Sequence, residues 1–125
     1  MSTAKTILFV YGTLKRGGRG NRFLVGQEFL GEATTEPLYR LYDLGTYPAL
    51  VKDEAHGLAV KGELWSVDQS CLNELDDYEY APELYTREQV QVAGQSVPVE
   101  SYIYSKSIPP KTRSAASWPF PAAGE

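Results

Sequence analysis

The stretch DQSCLNELDDYEYAP, residues 68–82, contains the clearest change of hydrophobic period in the chain. Ser66 or Asp68 can serve as the N-cap of a helix that starts here. Side chains then recur at steps of three and four residues, which is the helical period: Cys71, Leu72, Leu75, Tyr78 and Glu79. Pro82 disfavours helical geometry at the residue before it, so the helix is expected to end near Tyr80.

Strand patterns surround this helix on both sides. They cover residues 5–11, 28–43, 57–67, 84–92 and 96–104. Pro37 is expected to divide the second of these segments, and Ala93-Gly94-Gln95 is expected to form the turn of a hairpin between the last two. A strand-rich chain with one helix late in the sequence predicts an α+β fold with a small mixed, barrel-like β-sheet.

The chain has 125 residues, of which 42% are hydrophobic and 22% charged, a normal balance for one globular domain. Its composition changes after Tyr104, where Pro, Ser and Ala accumulate. We therefore predict a domain over residues 1–105 and a Pro-rich C-terminal tail over residues 106–125. The tail is expected either to be disordered or to lie extended over the surface, and Trp118 and Phe120 favour partial docking.

The charge balance disfavours several classes of protein. A formal net charge of -4 does not suit binding to nucleic acid or to an anionic membrane, although Arg16, Arg19 and Arg22 lie close together in the sequence.

No apolar run approaches the roughly 20 residues of a membrane-spanning helix. The single cysteine, Cys71, cannot form an internal disulfide, so a reducing compartment and a cytoplasmic location are expected. One His and one Cys provide no zinc ligand set.

Glu79 is the candidate catalytic residue. It lies one helical turn after Leu75 and two after Leu72, so it falls on the apolar stripe of the predicted helix. Desolvation raises the pKa of a carboxyl group in such surroundings, and a carboxylate tuned toward neutral pH is an effective general base. The alternative is that Glu79 lies at a fraying helix end and reaches water. Asp76 and Asp77 are offset from the stripe and are expected to face solvent.

A second candidate is the turn Tyr11-Gly12-Thr13-Leu14, which follows the first predicted strand. Gly12 lets the backbone turn sharply, and the N–H groups that follow can converge on a carboxylate or a developing oxyanion. The alternative is an ordinary turn at the end of a strand. The next segment, KRGGRG at 15–20, matches neither the P-loop nor the dinucleotide-binding pattern, so a mobile, solvated loop is expected.

Taken together, several segments resemble the γ-glutamylcyclotransferase-like family, in particular its γ-glutamylamine cyclotransferase branch. The matching pieces are FVYGTLKRG at 9–17 with Asn21, YDLGTYPAL at 42–50, GELWSV at 62–67, LDDYE at 75–79, YTR at 85–87 and YIY at 102–104. They occur in the family's order. The YGTL turn followed by L-D-x-x-E is the specific part of the resemblance.

The resemblance implies a mixed, barrel-like fold with Glu79 as the catalytic base. It also implies that the substrate is bound by Tyr11, Gly12, Thr13 and Leu14, and that Tyr85, at a family position near the cleft, contacts it. The alternative for Tyr85 and Arg87 is packing within the hairpin, with a surface ion pair. The family's reaction is intramolecular: the free α-amine of a γ-glutamyl group attacks its own side-chain carbonyl, which releases 5-oxoproline and an amine. This chemistry requires no cofactor. The expected partner is therefore a small γ-glutamyl substrate.

Tyr80 departs from the family pattern, because the family commonly has glycine after its catalytic glutamate. A bulky side chain there is expected to narrow the pocket or to shift the helix end. This departure keeps an alternative function open: a non-catalytic module that retains the fold and binds a small molecule or an interaction partner. The tail after Ser105, which the resemblance does not cover, leaves the same alternative open. The sequence does not predict an oligomeric state.

Overall fold

The computed structural model of the chain describes residues 5–120. Residues 1–4 and 121–125, which begin the predicted domain and end the predicted tail, lie outside this range. The strands are β1 (Thr6–Val10), β2 (Glu28–Thr34), β3 (Tyr39–Asp43), β4 (Pro48–Lys52), β5 (Lys61–Val67), β6 (Tyr85–Val90), β7 (Val99–Tyr104) and β8 (Ser114–Ala115). One α-helix, α1 (Gln69–Tyr78), lies between β5 and β6, and a short 3₁₀ helix covers Asn21–Leu24.

Five of the strands form one mixed sheet in the order β2-β5-β1-β7-β6. β1 runs parallel to β7, and the other neighbours in this sheet are antiparallel. Just beyond the two outer strands, Thr35 and Val92 form a bridge, and the N–H of Ala93 donates to the carbonyl of Thr34 at 2.9 Å. The edges of the sheet therefore approach each other, as in a partly closed barrel. The predicted α+β class with one helix and a mixed, barrel-like sheet is confirmed.

β1 lies in the middle of this sheet and divides the core into two clusters. Leu8 and Val10 pack in a cluster that includes the buried face of α1. Phe9 and Tyr11 pack in a second cluster with side chains of β3 and β4. This division follows from the alternation of side chains along a strand, which sends successive residues to opposite faces. The end of β1 consequently lies between the two clusters.

α1 begins and ends close to the predicted positions. Asp68 is the N-cap, and its carboxylate accepts a hydrogen bond from the backbone N–H of Cys71 at 2.8 Å. Such a cap typically stabilises the folded protein by about 1 kcal/mol. Leu72 and Leu75 are buried on the face that meets the sheet, and Glu79 is the C-cap. In residues 5–120, no helix has the length and apolar character needed to cross a membrane.

The segment after Tyr104 returns to the fold. β8 pairs with β3 and completes a second sheet in the order β4-β3-β8. Trp118 and Phe120 pack against the second core cluster. Up to residue 120, the chain therefore follows the extended, docked alternative for the tail. The division into a domain and a tail at residue 105 stays a prediction.

Candidate active site

A cavity of about 220 Å³ opens beyond the end of β1, between the turn that follows this strand and the end of α1. The six residues singled out in the sequence all line it: Tyr11, Gly12, Thr13, Leu14, Glu79 and Tyr85. They come from three separate segments of the chain. The fold brings these segments together because α1 packs on the face of the sheet that carries Leu8 and Val10 of β1. The end of α1 therefore lies beside the turn that follows β1.

Glu79 is the acidic side chain of this cavity. Its backbone N–H donates to the carbonyl of Leu75 at 2.9 Å, which fixes it at the end of α1. Burial raises the pKa of its carboxyl group to about 7. No hydrogen bond or ion pair to this carboxyl group is formed by the described side chains, so nothing offsets its desolvation. A carboxyl group in this state can exchange a proton near neutral pH.

Two buried tyrosines form the walls beside Glu79. The hydroxyl of Tyr11 donates to the carbonyl of Tyr102 at 2.7 Å, and that of Tyr85 donates to the carbonyl of Pro48, also at 2.7 Å. Burial raises the pKa of both phenols, and the nearby Glu79 carboxylate adds to this effect. Both hydroxyl groups therefore stay protonated at neutral pH and hold the backbone of neighbouring strands in place.

The turn after β1 is closed by its own backbone. The N–H of Lys15 donates to the carbonyl of Gly12 at 3.1 Å, and the N–H of Gly20 donates to that of Thr13 at 2.9 Å. Within residues 5–120, the N–H groups of Gly12, Thr13 and Leu14 have no acceptor. A Cβ at Gly12 would lie 2.6 Å from Cγ of Pro48, so this approach requires glycine. Unpaired backbone donors beside a cavity are suited to holding ligand oxygens.

The segment 15–20 is anchored, which corrects the prediction of a mobile, solvated loop. Arg16 donates to the Glu63 carboxylate from its backbone N–H at 3.0 Å and from Nε at 3.2 Å. Glu63 is only 6% exposed and also accepts from the indole of Trp65 at 3.2 Å. Nζ of Lys15 donates to the carbonyl of Trp118 at 2.5 Å.

The Asp76 side chain is paired and only 28% exposed, so the prediction that it faces solvent is wrong. Its carboxylate accepts from Nε and Nη2 of Arg87 at 2.9 and 3.2 Å, and from the hydroxyl of Tyr102 at 2.7 Å. Arg87 also pairs with Glu100. The helical period correctly places Asp76 beside the apolar stripe, but its partners come from β6 and β7, which the period of α1 cannot indicate. Asp77 is exposed, as predicted.

Tyr80 follows the helix in the left-handed region of backbone conformation, with φ of 54°. Its N–H donates to the carbonyl of Asp77 at 3.1 Å, and the N–H of Ala81 donates to that of Asp76 at 2.9 Å. These two bonds form a Schellman motif, in which glycine is usual at the position of Tyr80 because it has no Cβ. The helix end is not shifted, and the Tyr80 side chain, 69% exposed, lies at the mouth of the cavity.

Four further polar side chains of the cavity were not predicted as site residues: Arg19, Tyr47, Tyr78 and Tyr102. The hydroxyl of Tyr78 lies 3.0 Å from Oγ1 of Thr13, so it links α1 to the turn. Tyr47, Tyr78 and Tyr102 lie in segments that carry the family resemblance, which could have identified them. In the part of the chain that the structure describes, no group of three or more His, Cys, Asp or Glu side chains can hold a metal ion.

Residues 8–120 match the family model described as gamma-glutamyl cyclotransferase, AIG2-like. The chain is 35% identical over 112 residues to the gamma-glutamylaminecyclotransferase of Bos taurus, covering 82% of this chain and 67% of the bovine protein. It is 36% identical over 110 residues to gamma-glutamylaminecyclotransferase A of Danio rerio, covering 80% and 68% of the two chains.

The fold is similar to the crystal structure of an AIG2-like protein from Mus musculus, with a TM-score of 0.82 and 29% sequence identity. This likeness covers 91% of the present chain and 88% of the mouse chain. The family match includes the turn after β1, all of α1 and the segment that carries β8. The chain therefore belongs to the gamma-glutamyl cyclotransferase, AIG2-like family.

Proposed function

We propose that the protein is a cyclotransferase that releases 5-oxoproline and an amine from a γ-glutamyl amine or a related small γ-glutamyl amide. The observation that carries this proposal is Glu79, an unpaired carboxyl group whose pKa burial raises to about 7, placed in one cavity with the turn after β1. The relatives named gamma-glutamylaminecyclotransferase support the same type of reaction.

The reaction that we propose needs one proton carrier. Ionised Glu79 takes a proton from the α-ammonium group of the substrate, and the freed amine attacks the γ-carbonyl carbon of the same molecule. A carbon–nitrogen bond forms in the five-membered ring, and the bond from that carbon to the leaving nitrogen breaks. Glu79 delivers this proton to the leaving nitrogen, which departs as the amine. The regenerated carboxylate then takes the second proton from the ring nitrogen and passes it to the released amine, which leaves as an ammonium ion. Nucleophile and electrophile share one molecule, so the main task of the cavity is to fold the substrate.

The turn after β1 supplies the second part of the mechanism. We propose that the free N–H groups of Gly12, Thr13 and Leu14 donate to substrate oxygens, including the carbonyl oxygen that gains negative charge during ring closure. We assign Tyr11 and Tyr85 to the wall that holds the folded substrate against Glu79. This chemistry needs no cofactor. A cytoplasmic location remains a prediction from the single cysteine.

The proposal is tested by measuring 5-oxoproline release from a panel of γ-glutamyl amines. We expect turnover of at least one substrate by the wild type. Glu79→Gln keeps the size of the side chain but cannot accept the proton, so we expect a loss of about 10²- to 10⁴-fold in kcat. Asp77→Asn, which neutralises an exposed acid two residues away, is the matched control and should keep wild-type activity.

Two outcomes would contradict the proposal: no activity of the wild type across the panel, or equal activity of Glu79→Gln. The alternative function, a non-catalytic binding module, predicts that γ-glutamyl ligands bind without being turned over. Calorimetric titration of the same panel distinguishes that result from a protein that does not recognise the γ-glutamyl group.

A further inference from the structure

Arg19 carries the only positive charge among the described residues that line the cavity. It is exposed, and no carboxylate within residues 5–120 forms an ion pair with its guanidinium. Arg16, three residues earlier, differs because it pairs with Glu63. A guanidinium that borders a binding cavity without an anionic partner is placed to bind a carboxylate of a ligand.

Two glycines fix the backbone on either side of Arg19. A Cβ at Gly18 would lie 2.2 Å from the carbonyl oxygen of Thr13, and a Cβ at Gly20 would lie 2.9 Å from the hydroxyl of Tyr78. Both glycines therefore pack directly against the cavity wall, and a side chain at either position would push the loop away. The Cα of Arg19 is held beside this wall, and its exposed side chain lies at the mouth of the cavity.

The substrate class proposed above limits where an anionic group can meet Arg19. The α-carboxylate is bonded to the same carbon as the α-amine, which must reach Glu79. It therefore stays near Glu79 and the free N–H groups of the turn. In the proposed reaction the leaving amine is bonded to the γ-carbonyl on the side away from the α-carbon, so we place it toward the mouth of the cavity. A carboxylate on this part of the substrate is the one that can approach an exposed guanidinium.

We propose that Arg19 binds a carboxylate on the leaving amine, and that it is a specificity-determining residue for γ-glutamyl derivatives of amino acids over those of uncharged amines. This inference rests on the proposed function. What it adds is recognition of a carboxylate on the leaving amine, which is the part of the substrate that does not enter the ring. Arg19 does not touch the reacting atoms, so it discriminates between substrates without taking part in proton transfer.

The test compares pairs of substrates that differ only in charge. The leaving amines are ω-amino acids with chains of two to six carbons, each prepared as the free acid and as the carboxamide. For the wild type we expect kcat/KM to be about tenfold higher for the acid at the best chain length, as for one charge-assisted hydrogen-bonded contact. Arg19→Gln should lower the value for the acid to that for the amide, and leave the amide unchanged.

Lys106→Gln, which removes the same charge at an exposed position outside the cavity lining, should keep the preference for the acid. The inference is overturned if the wild type shows no preference for the acid at any chain length. It is also overturned if Arg19→Gln lowers kcat/KM equally for acids and amides, since Arg19 would then act on the shared γ-glutamyl half or on the loop.

Calorimetric binding of the same pairs separates this inference from the proposed function. If no substrate is turned over, the proposed function fails. Tighter binding of the acid that Arg19→Gln abolishes would still support the role of Arg19. Equal or absent binding of acid and amide would contradict it.

Discussion

The burial of Glu79 makes the stability of the protein depend on pH. The pKa of its carboxyl group rises from 4.5 to about 7 because of desolvation. Between these values the unfolded chain has lost the proton and the folded chain keeps it, so stability falls as pH rises and stays lower above pH 7. We expect Glu79→Gln to be up to about 3 kcal/mol more stable than the wild type at pH 8, with little difference at pH 4.

Urea unfolding of both proteins at the two pH values measures this difference, and Asp77→Asn is the control for loss of an exposed acid. A stabilisation that is the same at pH 4 and pH 8 would show that Glu79 is not desolvated. If Glu79→Gln is more stable than the wild type at pH 8, as we expect, the side chain that we assign to catalysis destabilises the folded protein at that pH.

Tyr80 provides a second test at a single position. A non-glycine residue in the left-handed region is disfavoured by about 1–2 kcal/mol, and glycine recovers part of this while making the unfolded chain more flexible. We expect Tyr80→Gly to be more stable than the wild type by up to about 1 kcal/mol in thermal unfolding. Tyr80→Ala removes the same ring but keeps a Cβ, so it should not show this gain. Equal stabilisation by both variants would show that the gain comes from loss of the tyrosine ring and not from relief of the backbone conformation.

The link between α1 and the hairpin β6–β7 depends on Asp76 and Arg87. Each side chain is just over a quarter exposed, and their paired hydrogen bonds join the helix to the sheet next to the cavity. In a double-mutant cycle of Asp76→Asn and Arg87→Gln, we expect a coupling free energy of about 1–2 kcal/mol. If the two substitutions have additive effects on the free energy of unfolding in urea, the interaction between Asp76 and Arg87 does not contribute to stability.

The strands and the helix were largely predictable because local patterns determine them. The period of α1, its N-cap Asp68 and its end near Tyr80 are all contained in one continuous stretch. The partners of Asp76 were not predictable in the same way, because Tyr102 and Arg87 reach it from strands that follow later in the chain. Helical phase shows which side of α1 a residue occupies, but it does not show what is packed there.

The C-terminal segment contributes to the packing of the whole molecule. Trp118 packs against the second core cluster, and its carbonyl accepts from Lys15 in the loop that borders the cavity. We expect Trp118→Ala to lower the free energy of unfolding by about 2–4 kcal/mol, whereas Trp118→Phe should retain most of it. Chemical denaturation measures both. A loss below about 0.5 kcal/mol for Trp118→Ala would show that this packing is not needed.

The site itself was predictable only in part. Glu79 and the turn after β1 follow from periodicity and from the family resemblance, since each lies in a short motif. The contact of Glu63 with Arg16 and the position of Arg19 beside the cavity could not be predicted from the sequence, because both depend on how distant segments pack together. The anchoring of the loop 15–20 is a property of the assembled fold and has no local pattern of its own.

The pH dependence of 5-oxoproline release tests the role of Glu79 most directly. For a γ-glutamyl substrate that the wild type turns over, we predict that kcat/KM rises from pH 5 with a midpoint near 7, because the carboxyl group must be ionised to take the proton. Glu79→Gln should lose this limb together with most of the activity. A wild-type profile that is flat between pH 5 and pH 8, or a Glu79→Gln variant with wild-type kcat/KM, would contradict the assignment of Glu79 as the base.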